Sequence, residues 1–425
     1  MSTLKTYFSA ENRYWWAGSP KTDFFVYFEL EAIQFSPQKE RIPLNVSLVI
    51  DRSGSMVGDK LKYAKKALDF VIDNLHKEDY LSIVQYDNEV EVVSASAAVA
   101  QKATLHALVA QIAARGATNL SGGMLEGFQQ VQSTQKPGYV NRVLLLSDGL
   151  ANEGVTDPTR LQQMVQKKFR EQGIALSTFG VGADFNEDLM THLSEYGGGN
   201  YYFIDSPDKI PAIFASELSG LLSVVAQNAR LKVQFPEKAL RCAQVYGYPA
   251  DIKADSVLIP FNDVFSEEKK AVLLRFEVLS ASPETPWKIT ADLGYDDVIE
   301  RLERIRQTFE LDIVTIHDEA LFAKSYQAKV QEEVVIFVGN AMLENAIQKA
   351  DNRDLEAARQ IVQQAKVYLD AFFQHHPASE ALKKLYQNLL DYEAKLAQMK
   401  DMSQTEYQVA QKMSKFSSYS ARRKK

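Results

Sequence analysis

Between Leu44 and about Val225 the sequence alternates short apolar segments with amphipathic ones. Two of the apolar segments, VSLVID (46–51) and RVLLLSDG (142–149), are runs of the kind that form strands buried on both faces. After the first run, apolar residues recur at helical spacing from 61 to 75. Strands that alternate with helices in this way predict right-handed βαβ units and a doubly wound, mostly parallel sheet, a Rossmann-like α/β domain.

The segments on either side of this region alternate large apolar and polar residues instead. This pattern, seen within residues 22–35 and again between 229 and 295, is typical of half-buried antiparallel strands. We therefore predict an antiparallel β-sandwich into which the α/β domain, residues 44–225, is inserted. The N-terminal strands of the sandwich fall in residues 1–43, and its remainder falls in residues 226–315.

The C-terminal region contains amphipathic segments without strand signals. From residue 316 to residue 415, apolar residues recur at i, i+3, i+4 and i+7, which predicts an α-helical bundle. The last segment, residues 416–425, ends in a basic run, and we predict that this tail is disordered.

Composition excludes several classes of function. Hydrophobic residues make up 46% and charged residues 24% of the 425 residues, which is ordinary for a globular protein of more than one domain. A formal net charge of -7 gives no reason to expect a nucleic-acid partner. One cysteine, Cys242, excludes an intramolecular disulfide and a thiolate metal cluster. Since no apolar run approaches the ~20 residues of a membrane span and the start is unlike a signal peptide, we predict a cytoplasmic protein.

Oxygen-bearing side chains occur at the predicted ends of the two buried strands. Asp51, Ser53 and Ser55 follow the first strand, Thr118 lies in the glycine-flanked loop GATNLSGG, and Asp148 ends the second strand. In an open α/β sheet, ligands bind beyond the carboxyl ends of the strands. Because alternate side chains of an extended segment face one way, the first three residues can converge on one ion. We therefore predict a ligand site at this edge.

The predicted ligand set contains oxygen atoms from two carboxylates and three hydroxyls. Such a set suits a hard cation, Mg²⁺ first, with Mn²⁺ or Ca²⁺ as alternatives, whereas zinc favours histidine and cysteine. Two carboxylates leave the site close to neutral around a dication. The ion can then accept a further carboxylate from outside, which an all-carboxylate cage would prevent.

The segment Asp51-Arg52-Ser53-Gly54-Ser55, with Thr118 and Asp148-Gly149, resembles the metal-ion-dependent adhesion site of the von Willebrand factor type A domain family. The five-residue segment alone would occur by chance in roughly one chain in ten of this length; the full combination is far rarer. The resemblance covers about residues 44–225. The strand-rich flanks resemble inter-alpha-trypsin-inhibitor heavy chains and bacterial relatives of calcium-activated chloride channel proteins.

The resemblance implies a role for each matching residue. Ser53 and Ser55 would bind the ion directly, Thr118 would bind it directly or through water, and Asp51 and Asp148 would anchor it, partly through water. A Glu or Asp of a protein partner would complete the coordination shell. The resemblance thus implies a metal-dependent protein-interaction module.

Two other functions stay open at this point. One is an accessory factor of an ATP-driven machine such as a MoxR-type ATPase, or of a kinase and phosphatase pair. The other is a metal-dependent hydrolase, which is disfavoured because no general base or nucleophile stands beside the ligand set in the sequence. The segment around Gly54 lacks the spacing of a phosphate loop, and Ser55 lies outside a G-x-S-x-G motif. We therefore expect no enzymatic activity.

Overall fold

A computed structural model describes residues 3–33, 42–148, 151–182, 185–281, 286–299, 304–400 and 402–423. The chain divides into two compact units. We call them the flanking unit, which comprises Met1–Ile33, Ala229–Asp297 and Glu303–Lys425, and the α/β unit, which comprises Gln34–Asn228 and Val298–Leu302. Residues 34–41, which belong to the predicted N-terminal strand segment, and Gly149 lie outside the described residues.

The strands of the described residues are, in chain order, β1 (Leu4–Ala10), β2 (Tyr14–Trp16), β3 (Asp23–Ala32), β4 (Leu44–Asp51), β5 (Tyr80–Tyr86), β6 (Val90–Ala98), β7 (Val140–Ser147), β8 (Ala175–Val181), β9 (Gly198–Ile204), β10 (Val224–Gln234), β11 (Leu240–Tyr246), β12 (Asp251–Ile252), β13 (Ser256–Phe265), β14 (Lys269–Val278), β15 (Trp287–Asp297) and β16 (Arg304–Ile316). The α-helices are α1 (Asp59–Asn74), α2 (Lys102–Gln111), α3 (Leu120–Ser133), α4 (Pro158–Gln172), α5 (Glu187–Tyr196), α6 (Ile210–Leu222), α7 (Glu319–Lys324), α8 (Ala328–Asp351), α9 (Leu355–Phe373), α10 (Glu380–Gln398) and α11 (Gln404–Arg423).

The sheet of the α/β unit has the strand order β6-β5-β4-β7-β8-β9. The neighbours from β5 to β9 pair in parallel, and β6 runs antiparallel to β5 at the edge. Every residue of β4 and β7 is buried, as expected for strands covered on both faces. This topology confirms the predicted doubly wound sheet. The strand order reverses between β4 and β7, so their carboxyl ends form the switch point where such sheets bind ligands.

Helix α3 packs unusually close to this sheet because its sequence supplies glycines on the inner face. A Cβ atom at Gly123 would lie 2.3 Å from the Tyr86 ring, and one at Gly127 would lie 2.4 Å from Val49 Cγ2. The side chain of Asn119 caps the helix by accepting the Gly122 N–H. This packing fixes the start of α3, and with it the loop that carries Thr118, beside β4 and β5.

The flanking unit contains the predicted β-sandwich. One sheet has the order β1-β3-β14-β11, and the other has the order β12-β13-β10-β15-β16-β2. The N-terminal strand β3 pairs antiparallel with β1 and with β14, so two N-terminal strands and two strands from the segment after the α/β unit form one sheet. This connectivity confirms the predicted insertion. The core contains many aromatic residues. The ring centres of Trp15 and Trp287 lie 5.7 Å apart, and those of the stacked rings of Phe28 and Phe261 lie 5.9 Å apart.

The C-terminal helices pack within the same unit. Helix α8 joins the sandwich through Val334 and Phe337, which share a buried cluster with Tyr27 and Leu273. Its other buried residues, including Leu343, form a second cluster with α9, α10 and α11. Within the described residues, no helix is both long and apolar enough to cross a membrane.

The structure differs from the sequence prediction at the C-terminal tail. Residues 416–423, predicted to be disordered, belong to helix α11, which ends at Arg423. Tyr407 and Tyr419 of this helix are each 7% exposed, and Tyr407 packs into the helical cluster. Burial of these aromatic side chains stabilises the helix despite its polar and basic composition. Lys424 and Lys425 lie outside the described residues.

Candidate metal centre

Asp51 ends strand β4, and its side chain is fully buried. Its Oδ1 atom accepts the Ser53 N–H at 2.8 Å, and its Oδ2 atom accepts the Ser147 hydroxyl at 2.6 Å. Burial raises the pKa of Asp51, and the charge of Asp148 adds to the rise, although the bonds from Ser147 and Ser53 oppose it. A cation beside this carboxylate would offset the cost of keeping it ionised.

Ser53 and Ser55 flank the start of a short 3-10 turn, Gly54–Met56. Their Oγ atoms lie 3.0 Å apart, as the alternation of side chains predicts. Ser53 is 1% exposed, whereas Ser55 is exposed to solvent. Met56 is fully buried and anchors the turn. The pair of hydroxyls therefore extends from the buried end of β4 to the surface.

Asp148 follows strand β7, which pairs directly with β4. Its Oδ2 atom lies 3.1 Å from the Lys60 ammonium and forms an ion pair with it. The Asp148 side chain is almost completely buried. Its Oδ1 atom is buried and, among the described residues, has no hydrogen-bond partner. Such a buried acceptor is expected to have a ligand or an ordered water as its partner.

Thr118 reaches the same edge from the loop before α3. The Gly54 N–H donates to the Gly116 carbonyl at 3.0 Å, which joins this loop to the serine-bearing turn. The Thr118 N–H donates to Asn152 Oδ1 at 2.7 Å, and the Thr118 carbonyl accepts the N–H groups of Asn152 and Glu153. Thr118 is 2% exposed. Its backbone is thus fixed on two sides.

Two groups near this edge were not singled out from the sequence. Lys60, in the first turn of α1, pairs with Asp148. Asp87, directly after β5, pairs with Arg52 and Arg115. Burial raises the pKa of Asp87, but the N–H of Glu89 and the two guanidinium groups outweigh it, so the pKa lies below its ordinary value. The position of Asp87 at the carboxyl end of a parallel strand is the signal that could have identified it.

The residues present fit a hard divalent cation. Asp51, Ser53 and Ser55 lie at the carboxyl end of β4, Asp148 follows β7, and the loop that carries Thr118 is hydrogen-bonded to the serine-bearing turn, so all the candidate ligands at this edge are oxygen atoms. Within the described part of the chain, no cluster of three or more His, Cys, Asp or Glu side chains could hold a metal. A site here would therefore depend on the hydroxyl groups. Metal binding by Asp51, Ser53, Ser55, Thr118 and Asp148 remains a prediction.

Comparison with known families confirms the resemblance to the domain family, while the metal site itself remains a prediction. Residues 45–216 match the family model described as von Willebrand factor type A domain. The match covers β4 to α6 and includes the whole candidate metal centre. Proteins that contain this domain generally use it for interactions with other proteins.

Several curated relatives match part of the chain. Uncharacterized protein YfbK of Escherichia coli is 31% identical over 226 residues, which cover 52% of this chain and 39% of YfbK. Uncharacterized protein sll0103 of Synechocystis is 23% identical over 335 residues, which cover 76% of this chain and 78% of that protein. Inter-alpha-trypsin inhibitor heavy chain H3 of Mesocricetus auratus is 28% identical over 239 residues, 53% of this chain and 26% of the heavy chain. The matches to YfbK and to the heavy chain thus span less than half of those proteins.

Solved structures share the fold across both units. A von Willebrand factor type A structure from Catenulispora acidiphila has a TM-score of 0.69 at 17% identity and covers 91% of this chain and 88% of its own. The ArnB paralog VWA2 from Sulfolobus acidocaldarius has a TM-score of 0.63 at 16% identity and covers 100% of both chains. At these identities the similarity concerns the fold alone.

Proposed function

Because residues 45–216 form a von Willebrand factor type A domain, we propose that this protein is a metal-dependent protein-interaction module. Its α/β unit binds an acidic side chain of a partner protein through a divalent cation, Mg²⁺ first, held by Asp51, Ser53, Ser55, Thr118 and Asp148. The observation that supports the proposal is the buried Asp148 Oδ1 atom, which has no hydrogen-bond partner among the described residues and lies at the switch point of the sheet beside Asp51 and the Ser53–Ser55 pair.

The protein's own residues have separate parts in this binding. Asp51 is held by two hydrogen bonds and keeps the Ser53 backbone in place. Ser53 and Ser55 present two hydroxyl oxygens 3.0 Å apart, and Ser55 faces solvent. A bound cation supplies a Lewis-acidic position for one more oxygen ligand. Since the buried side of the site is occupied by protein, this ligand arrives from the exposed side near Ser55.

The charges around the site favour an anionic partner. The carboxylates of Asp51 and Asp148 and the ammonium of Lys60 give this group one net negative charge. A dication brings the total to one positive charge, in surroundings that are largely buried and of low dielectric constant. A carboxylate is attracted to such a site more strongly than a neutral oxygen ligand is. An exposed Glu or Asp of a partner therefore matches it.

The proposal concerns binding without catalysis. Hydrolysis at a metal site needs a proton acceptor near the attacking water. In the proposed site both carboxylates would anchor the cation, and Asp51 also accepts hydrogen bonds from Ser53 and Ser147. Neither is arranged as a general base.

An accessory role beside an ATPase, or beside a kinase and phosphatase pair, would use the same site. This alternative differs from the proposed function in the identity of the partner and not in the binding mechanism. The cytoplasmic location remains a prediction.

The proposal predicts that partner capture depends on the metal and on the hydroxyl ligands. Immobilised full-length protein is incubated with extract of its source cells in Mg²⁺ or in EDTA, and retained proteins are quantified by mass spectrometry. We expect a partner that is retained in Mg²⁺ and lost in EDTA. Ser53→Ala and Thr118→Val should lower its retention by about tenfold or more.

The matched control is Ser47→Ala. Ser47 is a buried serine of strand β4 that lies away from the carboxyl end of the strand, so this variant should retain the partner as the wild type does. Exposed Glu and Asp residues of the purified partner are then replaced one at a time by Gln and Asn. One of these substitutions should abolish binding. Equal retention in Mg²⁺, in EDTA and by all variants would contradict the proposed function.

A further inference from the structure

Three loops meet at the candidate metal centre, and they come from distant parts of the sequence. We call residues 51–55 the ligand loop, residues 86–89 the β5 turn, and residues 115–119 the threonine loop. The ligand loop carries three of the predicted ligands, and the threonine loop carries Thr118. Since a cation needs both loops at fixed separation, whatever joins them controls the geometry of the site.

Backbone hydrogen bonds join the ligand loop to the other two. The Arg52 N–H donates to the Tyr86 carbonyl at 2.9 Å. The Arg52 carbonyl accepts the Arg115 N–H at 2.7 Å, and the Gly54 N–H donates to the Gly116 carbonyl at 3.0 Å. None of these bonds uses the side chain of a predicted ligand. The contacts that set the loop geometry are therefore separate from the groups that would contact the ion.

Asp87, in the β5 turn, connects all three loops with one residue. It is fully buried, and its Oδ2 atom lies 2.8 Å from Nε of Arg52 and 2.8 Å from Nε of Arg115. Its Oδ1 atom accepts the Glu89 N–H at 2.8 Å, which fixes the turn itself. Its backbone carbonyl accepts the N–H of Asn119, the neighbour of Thr118, at 2.7 Å. Asp87 thus contacts the ligand loop through the Arg52 guanidinium. It contacts the threonine loop through the Arg115 guanidinium and through its own backbone carbonyl.

We propose that Asp87, Arg52 and Arg115 are positioning residues that hold Thr118 in register with the hydroxyls of the ligand loop and so set the affinity for the divalent cation. They do so without contacting the ion. This inference rests on the proposed function insofar as the five predicted ligands bind a metal. It adds residues that the ligand motif does not contain.

The physical basis is the short range of metal coordination. Small hard cations hold their oxygen ligands at about 2.0 to 2.6 Å, so a displaced donor is lost as a ligand. Loops at the edge of a sheet are otherwise mobile. The Arg115 guanidinium donates a directional hydrogen bond to Asp87 Oδ2 at 2.8 Å, and the buried Arg52 guanidinium adds an ion pair at the same distance, so this carboxylate resists such displacement. Removing groups that orient metal ligands typically lowers metal affinity by about 10- to 100-fold.

The test uses Arg115→Met in the full-length protein. The Arg115 side chain is 56% exposed, so its removal should leave the fold intact while it removes the side-chain hydrogen bond between the threonine loop and Asp87. Titration calorimetry with Mg²⁺ alone should give a dissociation constant about tenfold higher than that of the wild type. Arg115→Lys, which keeps the charge, should recover part of the loss. Arg241→Met removes a comparable exposed arginine paired with Glu277 in the flanking unit and should leave Mg²⁺ affinity unchanged.

A double-mutant cycle separates positioning from general destabilisation. If Arg115 acts through Thr118, then Arg115→Met should cause no further loss of Mg²⁺ affinity in a Thr118→Val background. An equal loss in both backgrounds, or an unchanged dissociation constant in Arg115→Met, would overturn the positioning role while leaving the proposed function in place. A wild-type protein that does not bind Mg²⁺, with its loops folded, would overturn the proposed function itself and the positioning role with it.

Discussion

Glu11 is a buried carboxylic acid of the flanking unit, 7% exposed. Burial raises its pKa from 4.5 to about 7, although the Lys21 charge and the hydrogen bond from the Phe25 N–H oppose the rise. Between these two values the folded state binds a proton that the unfolded state has released. The free energy of unfolding therefore falls as the pH rises through this window, and the loss is complete above pH 7.

Glu11→Gln should remove this pH dependence, because glutamine stays neutral and its oxygen can still accept the Phe25 N–H. At pH 8 the variant should be more stable than the wild type by up to roughly 3 kcal/mol, since each pKa unit corresponds to about 1.4 kcal/mol. Near pH 4 the two proteins should be alike. Urea unfolding followed by tryptophan fluorescence measures this, because Trp15, Trp16 and Trp287 all belong to the flanking unit. Parallel pH profiles of the two proteins would contradict the expectation.

At the same scale, the sequence predicts the candidate ligands better than their surroundings. Asp51, Ser53 and Ser55 follow a recognisable buried strand, so alternation alone indicates that their side chains converge. The ion pair of Asp148 with Lys60 and the contacts of Asp87 depend on which loops meet in space. That information is absent from local spacing, because the partners are separated by many residues along the chain.

At the scale of elements, helix α3 is the one whose packing most directly shapes the site. Gly127→Ala should destabilise the α/β unit by about 1 to 3 kcal/mol, because the added Cβ would lie 2.4 Å from Val49 Cγ2 and must displace strand β4 or the helix. Alanine's higher helix propensity, worth about 1 kcal/mol, offsets part of this cost.

Urea unfolding followed by circular dichroism gives the measurement, and Ser133→Ala gives the control. Ser133 is an exposed residue of the same helix, so its replacement should be neutral or slightly stabilising. A Gly127→Ala variant as stable as the wild type would show that α3 does not pack as closely on β4 as the structure indicates.

Elements with strong apolar periodicity are evident in the sequence, and polar elements are less so. The buried strands β4 and β7 stand out in the sequence, whereas β16 carries charged residues on one face and β11 is short. Helix α11 has a polar composition, and its stability comes from the burial of Tyr407 and Tyr419. Whether such polar segments form a helix or a strand depends on tertiary packing more than on intrinsic propensity.

At the scale of the whole molecule, the chain folds as two units, one of them built from segments before and after the other. The sequence predicts this insertion because strands with period-two alternation occur on both sides of an α/β pattern. The strand pairing of β3 between β1 and β14 confirms it. The identity of the partner cannot be predicted in the same way, because the relatives that match share the domain and the chain covers only part of several of them.

The most direct test of the central claim is anomalous diffraction from crystals grown with Mn²⁺, which substitutes for Mg²⁺ at oxygen sites. We expect an anomalous peak at about 2 Å from the Oγ atoms of Ser53 and Ser55, with Thr118 bound directly or through water and the peak lost in Ser53→Ala. Well-ordered loops at residues 51–55 and 115–119 with no peak between them, or a peak held by other residues, would contradict it.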